Sequence, residues 1–176
     1  MQNRDNIKIK VSNLTKKFGD LLVLDNVSFE VRNREFLCVV GPTGCGKTTF
    51  LNTLTKLYEP TSGEILVNNE PVDLKRHNIS YIFQEESTMP WLTVEKNVSF
   101  SLEIKRKTRA EIKKSVEEVL EMVGLTKFRH YYPNELSSSM LQRVVIARAF
   151  VTKHELLLMD EPYGQLDIEL RFKLED

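Results

Sequence analysis

The sequence predicts an α/β fold, in which a parallel sheet with helices follows an antiparallel β portion and carries a helical subdomain. Three observations support this fold class. Apolar residues alternate with polar ones near the N-terminus, two continuous apolar runs lie at residues 36–40 and 156–159, and helical periodicity separates those runs. Alternation is typical of half-buried strands, whereas continuous short runs are typical of strands buried on both faces of a parallel sheet. Such an order of elements suits an α/β core with a helical insertion.

The composition indicates a folded domain without a nucleic-acid partner. The 176 residues are 41% hydrophobic and 28% charged, which is ordinary globular usage. Lys plus Arg equals Asp plus Glu at 25 each, so no net positive charge attracts nucleic acid or anionic lipid. The polar N-terminus and the lack of any run of about 20 apolar residues predict a cytoplasmic protein that reaches a membrane only through a partner.

The N-terminal half is predicted to be mainly strands and turns. Residues 7–11 and 22–31 alternate and are expected to form antiparallel strands, separated by a polar break at Lys16 and Lys17. Residues 36–40 are expected to form a buried parallel strand that ends at Gly41. Further along, two turns should flank a short strand at 64–67, and another strand should cover 79–83.

The second half is predicted to be helical before it returns to the sheet. Thr108 and Glu111 have capping-box spacing, and the helix that they begin should end at Gly124. A second helix is expected from about Ser139 to Val151. The two cysteines, Cys38 and Cys45, have neither disulfide nor metal-ligand spacing and are expected to be reduced thiols.

A glycine-rich loop after the first apolar run predicts a phosphate site. It satisfies the pattern G-x-x-x-x-G-K-S/T and lies between a predicted strand and a helix that should start at Lys47. Glycines let backbone N–H groups turn towards phosphate oxygens, and the helix N-terminus adds a positive dipole end. Lys47 would reach the β- and γ-phosphates, and Thr48 would bind magnesium. The loop consists of Gly41, Pro42, Thr43, Gly44, Cys45, Gly46, Lys47 and Thr48.

Two carboxylates, Asp160 and Glu161, directly follow the second apolar run. Ligands of open α/β sheets bind at the carboxyl ends of the strands, where these side chains are expected to lie. One carboxylate can hold Mg²⁺, and the other can orient or deprotonate an attacking water.

Together these motifs resemble the ATP-binding subunit of ATP-binding-cassette (ABC) importers, from about Ile7 to the end of the chain. Within that family, Pro90 to Val94 with Asn97 and Val98 are most similar to the nitrate, sulfonate and taurine group. The resemblance implies a P-loop NTPase core, MgATP as the bound cofactor, and ATP hydrolysis coupled to transport. It implies a single ABC ATPase domain over 1–176, with a nucleotide-binding core at 1–85, a helical subdomain at 86–152, and the second buried strand with the D-loop at 153–176.

The resemblance also implies roles for residues outside the two motifs. Phe18 would stack on the adenine ring, Thr49 would join the phosphate loop, and Gln84 would contact Mg²⁺ and the lytic water. Ser137 and Ser139 lie in the signature segment, which would face the γ-phosphate of a second copy. Glu161 would be the catalytic base, with Gln84 and Lys47 also catalytic, and Thr48, Gln84 and Asp160 would be the metal ligands. Asp167 would lie in the D-loop, which begins at Gly164.

The partners implied by the resemblance are transmembrane permease subunits, a second copy of the chain in a homodimer, and indirectly a solute-binding protein. The chain would then lie peripherally on the inner face of the cell membrane. Members that act in DNA repair carry a long coiled coil, but only about fifty residues separate Gln84 from Leu136, without a sustained heptad pattern. Ribosomal members usually carry two cassettes, and this chain has room for one.

Two departures from the family pattern keep an alternative open. Ser138 and Ser139 stand where the family has two glycines, and serine disfavours the left-handed backbone angles that glycine allows. The family also has a histidine beyond the catalytic glutamate, whereas His77, His130 and His154 all precede Glu161. The chain therefore resembles a C-terminally truncated ATPase that lacks part of the core. The alternative to a transport ATPase is a non-catalytic nucleotide-binding fragment.

Overall fold

A computed structural model of the chain describes residues 6–84 and 87–160. These residues belong to two compact units, the first ending at His77 and the second beginning at Asn78. The first unit contains an antiparallel sheet and a short helix, and the second contains parallel strands and longer helices. The single-domain arrangement inferred from the sequence remains a prediction.

The first unit is built on a four-stranded antiparallel sheet in the order β2-β1-β3-β4. Both antiparallel strands predicted near the N-terminus are confirmed, but the polar break predicted at Lys16 and Lys17 is wrong, because β1 continues through both residues to a turn at Gly19. Ile9 and Val11 are buried, as the alternation predicts, and Leu14 is also buried because the register shifts between Val11 and Leu14. The elements of this unit are β1 (Ile7–Phe18), β2 (Leu21–Arg32), helix α1 (Lys47–Leu54), β3 (Ser62–Val67) and β4 (Glu70–Pro71).

The turn predicted at Asn68 and Asn69 joins β3 to β4. Both residues have left-handed φ angles, 54° and 63°. A two-residue hairpin turn needs positive φ at both positions, and asparagine tolerates this conformation better than most residues. The local sequence was therefore sufficient to place this hairpin.

The prediction of a buried parallel strand at residues 36–40 is wrong. The structure describes these residues but assigns no strand to them. Phe36 is 77% exposed and Val40 is 84% exposed. The physical reason is that a strand needs partners, and every strand described in the first unit belongs to the antiparallel sheet, in which residues 36–40 take no part.

The second unit contains the parallel pair β5 (Ile79–Ile82) and β6 (Leu156–Met159), with Ile82 opposite Met159. The strands predicted at residues 79–83 and 156–159 are thereby confirmed. Between them in sequence lie α2 (Val94–Ile104), α3 (Arg109–Met122) and α4 (Ser138–Phe150), together with 3-10 turns at Thr126–Phe128 and Pro133–Glu135. The helices and strands share one apolar core, whose fully buried members include Ile82, Val94, Val98, Leu120, Val144 and Ile146.

Helix α3 begins with the capping box that the sequence predicts. The Thr108 hydroxyl accepts from the backbone N–H of Glu111, and the Glu111 carboxylate accepts from the backbone N–H of Thr108 at 2.9 Å. This backbone hydrogen bond is the main reason that the pKa of Glu111 lies below its ordinary value. The helix is followed by Gly124, with φ of +70°, where the prediction placed its end.

Helix α2 was not predicted, although the sequence carries its signals. Thr93 is its N-cap and accepts a hydrogen bond from the Lys96 N–H. Val94, Val98 and Leu102 recur every four residues and are all buried. In the described ranges, none of the helices is long and apolar enough to span a bilayer.

Candidate functional site

In the glycine-rich loop of the first unit, the lysine side chain is hydrogen-bonded to the backbone of the loop itself. Lys47 Nζ donates to the carbonyl oxygens of Gly41 at 2.8 Å and Pro42 at 3.0 Å. Gly44 and Gly46 take left-handed φ angles of 81° and 100°, which glycine adopts without the cost of a Cβ. The ammonium group is therefore held within the loop by backbone carbonyls, and its contact with phosphate remains a prediction.

Helix α1 starts at Lys47, and its N-cap provides no side-chain acceptor for its first N–H groups. Gly46 is its N-cap and has no side chain to bond to them, and the first turn has no acidic residue. These N–H groups and the helix dipole favour an anion. Because Thr48 and Thr49 lie in this first turn, their hydroxyls are also at the loop, with Thr48 exposed and Thr49 half-buried.

The loop packs closely on β2. A Cβ on Gly46 would lie 3.1 Å from the carbonyl oxygen of Val23 and 3.1 Å from the Leu24 side chain. A Cβ on Gly41 would lie 2.7 Å from Cys45 Sγ. At Gly46, glycine therefore allows close approach to the β2 backbone as well as the left-handed conformation.

Phe18, expected to stack on a base, ends β1 and is 42% exposed. Its ring contacts Tyr58 edge-to-face, with centroids 5.2 Å apart. It is thus neither a fully buried core residue nor an isolated surface ring.

Gln84 and Asp160 lie at one edge of the parallel pair in the second unit. The backbone N–H of Asp160 donates to the Ile82 carbonyl at 2.9 Å, so β6 and β5 end side by side. Gln84 is exposed and follows β5, while Asp160 is only 4% exposed and follows β6. The sequence placed both correctly at the carboxyl ends of their strands.

Asp160 also fits a role as a magnesium ligand. Its Oδ2 atom is buried and has no hydrogen-bond partner within residues 6–84 and 87–160. A buried carboxylate oxygen without a partner is costly, and a hard cation or its water is a suitable partner. Within the second unit, the donor chemistry of Asp160 and of the Gln84 amide therefore fits Mg²⁺.

The signature segment begins helix α4. Ser137 is the N-cap and accepts from the Met140 N–H at 3.4 Å, and its hydroxyl lies 3.3 Å from that of Ser139. Neither Ser138 nor Ser139 has a positive φ angle. Serine therefore meets no left-handed backbone at these two positions, because both residues lie in the right-handed first turn of α4.

Sequence reasoning missed two residues that hold the segment after Gln84. Arg148 on α4 donates from Nη1 to the carbonyl oxygen of Ser87, and burial lowers the pKa of its guanidinium. Asn97 on α2 is 1% exposed and accepts from the Met89 N–H at 2.8 Å. Its amide nitrogen donates to the carbonyl oxygens of Met89, Leu92 and Thr93. The signal for Asn97 was a polar residue within the apolar stripe of α2.

Comparison with known proteins identifies the family to which this geometry belongs. The ABC transporter family profile matches residues 24–164, which include the loop, Gln84, the signature segment and Asp160. The chain belongs to the ABC transporter family. An ATP-binding cassette solved as a dimer in a post-hydrolysis state, bound to ADP and Pi, superposes with a TM-score of 0.85 at 33% identity. That match covers 94% of this chain and 79% of the other, and it confirms the predicted fold class.

Among curated ABC relatives, a putative ATP-binding protein of Brucella abortus is 41% identical over 96% of this chain and 65% of its own length. An ABC transporter ATP-binding protein of Methanocaldococcus jannaschii is 42% identical over 97% of this chain and 65% of its own length. The sulfate/thiosulfate import ATP-binding protein of Mycobacterium tuberculosis is 40% identical over 94% of this chain and 48% of its own length. This ABC chain thus spans 48–65% of the length of these curated relatives.

Three predicted features of the ABC site lie outside the described residues. Glu161, the expected base, directly follows the last described residue, and Gly164 and Asp167 of the D-loop follow it. Their roles remain predictions.

Proposed function

We propose that this chain is the ATP-binding and ATP-hydrolysing subunit of an ABC importer. The observation that carries the proposal is Lys47, held within a glycine loop at the start of α1, where the N-cap Gly46 offers no side-chain acceptor to the first N–H groups. A triphosphate would exchange the Lys47 contacts with Gly41 and Pro42 for contacts with its own oxygens, which carry full charge.

The proposed reaction is in-line attack of water on the γ-phosphorus. The bond from that phosphorus to the β–γ bridging oxygen breaks, and the proton of the water passes to the Glu161 carboxylate. Gln84 orients the water, and Lys47 with the N–H groups of α1 stabilises the charge on the phosphate oxygens. When bound, Mg²⁺ neutralises charge on the β- and γ-phosphates, with Thr48, Gln84 and Asp160 as its proposed protein ligands.

The proposed working unit is a homodimer of ATPase chains attached to transmembrane permease subunits, on the inner face of the cell membrane. A solute-binding protein would deliver the solute to the permease. The dimeric state of two similar solved cassettes supports the ATPase dimer. The name of the sulfate/thiosulfate import relative supports an importer.

The proposed solute class is nitrate-, sulfonate- or taurine-like. The support is the segment from Pro90 to Val94 with Asn97 and Val98, and the sulfate/thiosulfate relative handles a chemically related oxyanion. Uptake of labelled taurine, nitrate and sulfate by cells with and without the gene tests this class. Loss of sulfate uptake alone would contradict it.

Phosphate release by the purified chain with Mg²⁺ and ATP tests the proposed activity. We expect Glu161→Gln to reduce release by at least about a hundredfold, because it removes the proton acceptor. Unchanged release would instead support the alternative of a non-catalytic fragment, which the ATP-binding relatives do not favour. Arg34→Gln, a change in an exposed turn residue that belongs to none of the predicted motifs, serves as the control and should leave release unchanged.

A further inference from the structure

Phe18 is one part of a three-residue group that we call the base platform, made of Phe18, Tyr58 and Lys16. The rings of Phe18 and Tyr58 meet at 84° with centroids 5.2 Å apart, within the range in which edge-to-face pairs attract. Tyr58 lies between α1 and β3 and is 38% exposed. The two rings therefore contact each other at the surface of the first unit, where neither is buried in the core.

The ammonium group of Lys16 completes this group. Its Nζ atom lies 4.8 Å from the centroid of the Phe18 ring and 5.7 Å from that of Tyr58. Both distances are within the range of a cation–π interaction. The same atom donates to the carbonyl oxygen of Glu59 at 2.6 Å, which fixes the cation relative to the segment that carries Tyr58.

Two hydrogen bonds of Thr61 hold that segment against β1. The N–H of Thr61 donates to the carbonyl oxygen of Thr15 at 2.8 Å, and the Thr61 hydroxyl accepts from the N–H of Lys17 at 2.9 Å. Tyr58 therefore approaches Phe18 from a segment that is anchored to the strand on which Phe18 lies. This arrangement restricts the Phe18 ring, whereas the ring of an exposed phenylalanine without such contacts rotates freely.

The base platform lies close to the phosphate loop within the same unit. Gly46 of the loop packs against Val23 of β2, and Phe18 pairs with Leu21 of the same strand. Two residues along a strand span about 7 Å, and neighbouring strands lie about 5 Å apart. A nucleotide with its phosphates in the loop can therefore place its base at the platform.

We propose that Tyr58 is a positioning residue for nucleotide binding, which holds the Phe18 ring in the orientation that stacks on the base, with Lys16 as its support. The proposal rests on the proposed function, because it assumes that the loop binds the triphosphate. It assigns to Tyr58 an effect on the base alone and none on the phosphates. A Tyr58 that only packs the surface would not make this distinction between ligands.

Calorimetric titration with two magnesium-loaded ligands, ATP and inorganic tripolyphosphate, tests this distinction. In Tyr58→Ala, we expect the Kd for ATP to rise about three- to tenfold, the value of one aromatic pair, while the Kd for tripolyphosphate stays unchanged. Tyr58→Phe is the matched control and should bind ATP like the original chain, since it keeps the ring edge. Tyr58→Leu keeps an apolar contact without a ring and should resemble Tyr58→Ala, which separates the effect from loss of folding.

Each contrary outcome has a distinct meaning. An equal loss of affinity for ATP and tripolyphosphate in Tyr58→Ala would show that Tyr58 supports the loop, and would overturn the inference. Unchanged ATP affinity in Tyr58→Ala would overturn it as well, while leaving the proposed function intact. If the original chain binds neither ligand, the proposed function fails and the inference fails with it.

Discussion

At the scale of single residues, Lys47 offers the sharpest test of the phosphate loop. Among the described residues, its ammonium group has hydrogen bonds to the carbonyl oxygens of Gly41 and Pro42 and, at 3.8 Å, to Cys45 Sγ, so phosphate is the better partner. We expect saturating MgATP, at about 100 times its Kd, to raise the melting temperature of the chain by about 5–10 °C. Lys47→Ala should remove this rise, which differential scanning fluorimetry measures.

The control for this test is another lysine of the first unit. Lys56 follows α1 and is exposed, and none of the motifs includes it. Lys56→Ala should therefore keep the full rise in melting temperature. A rise of equal size in Lys47→Ala and in the original chain would contradict the assignment of the loop as a phosphate site.

At the scale of elements, helix α2 carries two buried polar groups that differ in their hydrogen bonding. Asn97 makes four hydrogen bonds to the segment 89–93, whereas Ser101, one turn later, has a buried hydroxyl with no partner in the described ranges. Asn97→Ala should lower the free energy of unfolding by about 2–4 kcal/mol, because it leaves several backbone groups unpaired. Urea denaturation measures this loss.

Ser101→Ala is the matched control on the same helix. Removing a hydroxyl that has no partner should change the free energy of unfolding by less than about 0.5 kcal/mol, or raise it slightly. A similar loss in both variants would contradict the hydrogen-bond argument and would indicate that packing of α2 decides its stability.

The same elements show what the sequence could and could not predict. The capping box at Thr108, the turn at Asn68 and the start of α1 at Lys47 depend on contacts between near neighbours, and all were predicted correctly. Residues 36–40 were predicted wrongly, because an apolar run reports a preference for burial but not whether partner strands are available. The platform contact between Phe18 and Tyr58 was missed because it joins residues forty positions apart, which no local pattern indicates.

At the scale of the whole molecule, the proposed dimer makes a prediction that depends on both halves of the chain. If each copy binds ATP at the loop containing Lys47 and presents the start of α4 to its partner, blocking hydrolysis should trap the closed dimer. On addition of MgATP, the molar mass of the Glu161→Gln variant should therefore rise from that of one chain, 20.5 kDa, to about twice that value. Size-exclusion chromatography with light scattering measures this change.

Substitutions of Ser138 then test whether the dimer forms through the signature segment or through another surface. It is exposed at the first turn of α4 and has no role in the proposed ATP contacts of its own chain. Adding Ser138→Arg to Glu161→Gln should abolish the dimer, since a large cation would occupy the surface that approaches the partner, while ATP affinity at the loop stays unchanged. Ser138→Gly in the same background should keep the dimer. A dimer that persists with arginine would show that the two copies meet through a different surface.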